Sequence, residues 1–204
     1  MKSLNQEFIK YMYNTDEKEC MMSLITYALS PTITGYKPSS IVTISNRNKN
    51  MYDLWCKYGC EYLDNINLKV FEINRKENSV VLLFYNEKML SEVLCDKDNA
   101  EFLSKFGYSN SMSLIEKLNL LKNRYEYNFC PHEMGIFLGI PLRDVEYFMN
   151  CNEKECVCCG YWKVYNDREG ALQVFENYNK SKNNFLKFIQ NDIGITKVVK
   201  LLSS

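Results

Sequence analysis

Glycine and proline are scarce in this chain, with eight and four residues among 204. No phosphate-cradling glycine loop, dinucleotide fingerprint, nucleophile elbow or His-Glu-x-x-His motif occurs, and with so few glycines the familiar nucleotide enzymes are not expected. Histidine occurs once, at His132, and any histidine-dependent acid–base chemistry must use it. An excess of either charge is also missing: Lys plus Arg and Asp plus Glu each number 25. A dedicated nucleic-acid or membrane-surface protein would carry a basic footprint, so neither partner is expected. The longest strongly apolar stretch runs only from Met21 to Leu29, half a membrane span at best. The opening residues Met1 to Glu7 contain no apolar secretory core, which points to the cytoplasm. Alanine appears only at positions 28, 100 and 171, while Asn, Lys, Ile and Tyr abound, a codon bias of AT-rich genomes.

What is present is a globular composition, 46% hydrophobic and 14% aromatic. Helical periodicity marks Leu4–Asn14 and Asp16–Leu29, after which Pro31, Gly35 and Pro38 are read as breaking the chain. Ile41–Ile44 is a short strand, Met51–Leu63 a helix, and Leu68–Asn74 with Ser79–Tyr85 a hairpin across the loop 75–78. Helices are expected over 86–95, 97–106, 111–124, 131–138 and 142–150. A last strand follows at 160–165, then a long helix over 167–189 capped by Asp167. The sum is an α+β fold in a single domain over 1–204, a small mixed sheet of three to four strands covered by helices, with a helical hairpin at 131–150.

Nine cysteines, at 20, 56, 60, 95, 130, 151, 156, 158 and 159, fit no complete disulfide framework. Four of them, Cys151, Cys156, Cys158 and Cys159, fall within nine residues and could hold zinc or an iron–sulfur cluster. Against this, the spacing is not a pair of Cys-x2-Cys knuckles, and adjacent Cys158 and Cys159 point apart in an extended chain. Cys130-Pro131 is a dipeptide suited to a haem thiolate. Cys130 with His132, or Cys159 with His132, would supply a nucleophile and base for a thiol enzyme, although Pro131-His132-Glu133 also serves simply as a helix start.

Residues 131–150 have the outline of a helix-turn-helix, with Gly135, a turn glycine at Gly139 and Val145 at suitable spacing. The second helix would present Arg143 with Asp144 and Glu146, a charge balance that disfavours a DNA-binding regulator. The run Pro131-His132-Glu133-Met134-Gly135-Ile136-Phe137-Leu138-Gly139-Ile140-Pro141-Leu142-Arg143-Asp144-Val145 resembles a family of clostridial and related anaerobe proteins catalogued as domain of unknown function 3793. So do Cys159-Gly160-Tyr161-Trp162-Lys163-Val164-Tyr165 and Leu29-Ser30-Pro31-Thr32-Ile33-Thr34-Gly35-Tyr36-Lys37-Pro38-Ser39. The resemblance implies no activity, cofactor or catalytic residue. It implies a setting near flavodoxin or iron-uptake genes, hence anaerobic redox or iron physiology and a redox protein partner. Cys151, Cys156 and Cys158 depart from the family pattern, whereas Cys159 belongs to it.

Within the third motif, alternation of a strand turns Trp162 and Val164 to the core and leaves Tyr161, Lys163 and Tyr165 together. A lysine between tyrosines suits a small anionic or aromatic ligand, and Lys37 could add a second cation. The plainer reading is an edge strand whose lysine discourages aggregation. The expected function is a small-ligand-binding or accessory protein of redox or iron metabolism, its site gathering His132, Glu133, Tyr161, Lys163 and Tyr165.

Overall fold

Three strands, β1 (Ser39–Ser45), β2 (Lys69–Lys76) and β3 (Ser79–Tyr85), form a sheet in the order β1-β3-β2. A computed structural model describes residues 6–47, 49–128, 131–150, 155–191 and 193–202. Every pairing in this sheet is antiparallel, so the sheet is not mixed. The reason lies in the connections: β2 and β3 join through the two-residue loop Glu77–Asn78, tighter than the four-residue loop expected from sequence.

The central strand β3 explains the layering. Its sequence Ser-Val-Val-Leu-Leu-Phe-Tyr is apolar at successive positions because both faces are covered. Val80, Leu82 and Phe84 enter one core and Leu83 and Tyr85 enter another. On the first face lie α1 (Gln6–Asn14), α2 (Glu17–Ile33) and α3 (Met51–Leu63). On the second lie α4 (Glu87–Cys95), α5 (Lys97–Ser104), α6 (Leu114–Asn128), α7 (Met134–Phe137) and α8 (Leu142–Asn150). A two-stranded ribbon follows, β4 (Cys158–Cys159) with β5 (Lys163–Val164). The chain then returns to the first face as α9 (Arg168–Gln190) and α10 (Ile195–Leu202). The result is an α+β fold in which one sheet is packed between two helical layers.

Several helix starts follow their sequence signals. Asp16, Asn86, Asp96 and Asp167 each accept a hydrogen bond from a backbone N–H in the first turn of their helix. Other elements depart from expectation. α2 does not stop at Leu29 but continues through Pro31 to Ile33. Proline removes one backbone donor, yet this helix is buried on nearly all sides, and packing outweighs the loss. Two of its buried hydroxyls are satisfied along its own backbone, Thr26 Oγ1 donating to Met22 O and Ser30 Oγ to Thr26 O, both at 2.8 Å. The expected strand 160–165 shortens to Lys163–Val164, and the helix expected over 131–138 is the four-residue turn α7. α10, which the sequence reading did not anticipate, buries Ile195, Val198, Val199 and Leu202 at helical spacing. Among the described residues, no helix is long and apolar enough to cross a membrane.

Candidate functional site: a lysine–tyrosine cluster

The three sequence motifs interlock through a few specific contacts. Pro38 of the first motif packs on Gly139 of the second, and Ser39 Oγ donates to Phe137 O at 2.7 Å. Asp144 of the second motif is buried and fully occupied by the third: it accepts from Trp162 Nε1 and from the Tyr165 backbone N–H, both at 2.8 Å. Glu133 is buried in an ion pair with Arg124 of α6, whose guanidinium lies 4.9 Å from the Phe106 ring centroid. These carboxylates are structural anchors, and Glu133 faces a protein cation.

The residues grouped from sequence stand in different surroundings. His132 is exposed, its ring 5.7 Å from Phe148. Tyr165 is buried and stacks on Tyr147. Lys163 is exposed on β5, paired through its backbone with Cys159. Tyr165 is buried whereas Tyr161 and Lys163 are exposed, and strand alternation does not extend to Tyr165 because the regular strand ends at Val164.

Tyr161 instead enters a cluster built from α2, its following turn and α9. α2 ends in a turn where Gly35 has φ +73° and the N–H groups of Tyr36 and Lys37 both donate to Pro31 O. Thr34 Oγ1 hydrogen-bonds Ser181 Oγ at 2.8 Å, fixing this turn to α9. One side of α9 presents Tyr178, Ser181 and Lys182 to it. The third motif arrives over Gly160, where a Cβ would run into the Phe175 ring. Tyr161 thereby meets Tyr178 edge-on with centroids 5.0 Å apart, and its hydroxyl donates to Asn179 Oδ1 at 3.1 Å.

Two ammonium groups sit on these rings. Lys182 Nζ lies 4.9 Å from the Tyr161 centroid and 5.1 Å from that of Tyr27. Lys37 Nζ lies 5.9 Å from the Tyr178 centroid. Among the described residues, neither ammonium has a carboxylate partner. Burial pushes Lys37 down to about 8, with the like charge of Lys182 adding to the shift. Burial also lowers Lys182. Tyr178 is pushed up to about 12, by burial and then by Tyr161, and burial raises Tyr27 and Tyr161. At neutral pH these phenols keep their protons, so none of them neutralises the lysines. The cluster presents cations and aromatic faces without an internal anion, a combination that accepts an anionic group beside a flat or apolar one.

Sequence reasoning had named Tyr161 and Lys37 but missed Tyr27, Tyr178 and Lys182. The basic stretch around Lys182 reads as a solvated face, yet Phe175, Tyr178, Lys182 and Phe185 recur at helical spacing, and that period was the available signal.

Three of the four clustered cysteines lie among the described residues. Cys158 is half-buried against Val164 and Phe175, Cys159 is exposed, and Cys156 is half-buried. Cys130 and Cys151 lie outside the described residues. Among the described residues, no group of three or more His, Cys, Asp or Glu side chains is placed to hold a metal ion.

The fold and site define an α+β protein with an unneutralised lysine–tyrosine cluster at the junction of its motifs. Residues 25–199 match the family described as protein of unknown function (DUF3793), and the chain belongs to that family. No curated protein and no solved structure matches it.

Proposed function

We propose that this chain is a small-ligand-binding accessory protein whose ligand carries an anionic group held by Lys37 and Lys182 and a planar or apolar portion against Tyr27, Tyr161 and Tyr178. The observation that supports the reading is the pair of half-buried ammonium groups without a carboxylate partner among the described residues. Uncompensated buried charge is costly, and a bound anion relieves it. The cytoplasm is the compartment we assign, in keeping with seven described cysteines that are all free thiols. Redox or iron physiology is the setting that the family resemblance implies.

The reading is tested by thermal shift and calorimetry with phosphate, sulfate, small carboxylates and aromatic carboxylates at up to about 10 mM. At least one class should raise the melting midpoint, and Lys182→Met should weaken that ligand about tenfold or more. An unchanged midpoint with every class would overturn it.

A further inference from the structure

Lys37 differs from an ordinary anion-binding lysine in its surroundings. Its backbone is held by the bond from its N–H to Pro31 O at 3.0 Å and by the seating of Pro38 on Gly139. Its side chain is half-buried beside Tyr178, a second cation, Lys182, faces the same ring cluster, and no carboxylate among the described residues stabilises its charged form. A desolvated amine next to another cation is the arrangement that turns lysine into a nucleophile.

We propose that Lys37 Nζ condenses with the carbonyl carbon of a small anionic aldehyde or ketone whose acidic group is held by Lys182. The inference rests on the anion-binding reading above and names its ligand class. In the neutral amine, the nitrogen lone pair attacks the carbonyl carbon and a C–N bond forms. The carbonyl π electrons move to oxygen, which takes a proton while nitrogen loses one, giving a carbinolamine. Loss of that hydroxyl as water, with the remaining nitrogen proton, leaves the imine: one amine and one carbonyl give one imine and one water, with no oxidant or reductant required.

Two features fit this step. With Lys37 near 8, about a tenth of the amine is neutral at pH 7, some 300-fold more than for an ordinary lysine. The neighbouring phenol of Tyr178 stays protonated well above neutral pH and can donate a hydrogen bond rather than neutralise an amine. Lys182 supplies a cation that the reacting carbon does not need but its acidic substituent does.

The experiment uses the full chain with glyoxylate, the simplest anionic aldehyde, and sodium cyanoborohydride at pH 7, with the reduced adduct located by peptide mass spectrometry. Lys37 should be labelled at least about tenfold faster than exposed Lys163, and Lys182→Met should slow that labelling about tenfold. Lys37→Arg keeps the charge and removes the nucleophile, so it should abolish this fast adduct. Labelling of Lys37 no faster than Lys163, with a phosphate shift still present, overturns the amine chemistry and leaves the anion site standing. Labelling of Lys37 no faster than Lys163, together with an unchanged midpoint in phosphate, sulfate and every carboxylate class, overturns the two readings together.

Discussion

Gly139 and Pro38 are in such close register that a Cβ on the glycine would stand 2.7 Å from the proline ring. The glycine also has φ +75°, a conformation that side-chain-bearing residues rarely adopt. This contact joins the turn after α7 to the segment that carries Lys37, one residue before the proline. Gly139→Ala should destabilise the protein by about 2 kcal/mol or more, through backbone strain and forced displacement of Pro38. Urea denaturation monitored by circular dichroism checks it. A loss below about 0.5 kcal/mol would mean that the two segments are not locked together as described.

Asp144 holds the ribbon to α8 with both of its oxygens. Asp144→Asn keeps the shape but replaces one acceptor by a donor, opposing either Trp162 Nε1–H or the Tyr165 N–H. An expected loss of about 1–3 kcal/mol follows from leaving a buried donor unmatched. Tryptophan fluorescence should change as the Trp162 hydrogen bond is lost, and chemical denaturation gives the energy. An unaltered stability would show that the ribbon is held mainly by its apolar contacts with α9.

Much of the scaffold was legible because its signals are local. Asp16 and Asp167 stand directly before apolar helical periods, and β3 reads as a hairpin strand from its β-rich Val-Val-Leu-Leu-Phe run. Pro31 misled because its effect on backbone hydrogen bonding is local, whereas the burial that carries α2 past it is tertiary. The site was only half legible for a related reason. Lys37 and Tyr161 belong to distinctive motifs, but Tyr27 and Lys182 acquire their role from the crossing of α2 and α9, which no spacing within one segment reveals. Asp144 and Glu133 looked chemically available in the sequence, yet folding spends them on Trp162, Tyr165 and Arg124.

The Arg124–Glu133 pair offers a test of that structural role. Glu133 is buried, its second carboxylate oxygen has no hydrogen-bond partner among the described residues, and the nearby Tyr108 phenol is pushed up by burial and then by the Glu133 charge. Arg124→Met strands a buried carboxylate and should cost about 3 kcal/mol or more. Arg124→Met combined with Glu133→Met removes both charges and should recover most of that loss. A double-mutant cycle by urea denaturation measures the coupling, and additive losses would show that the two side chains are energetically independent.

Lys37 predicts an unusual dependence of stability on pH. Its folded pKa is depressed to about 8 by burial and by Lys182, so the folded state disfavours the charged amine. Below that folded value the penalty is fully present. As pH rises from about 8 toward the ordinary lysine value of about 10.5, the unfolded chain holds the proton that the folded chain has released, and the penalty fades. Lys37→Met, which keeps the apolar stem beside the Tyr178 ring, should therefore stabilise the protein at pH 7. The expected gain is about 2 kcal/mol, reduced from the full linkage value because the half-buried side chain retains part of its solvation. That gain should shrink toward zero by about pH 10.5. Lys182→Met should act in the same direction at pH 7, since it removes the charge that Lys37 faces. Urea denaturation of the three proteins between about pH 6 and pH 10 measures the curve. A constant difference across this range would mean that Lys37 titrates like an exposed lysine, and the account of its desolvated amine would fall with it.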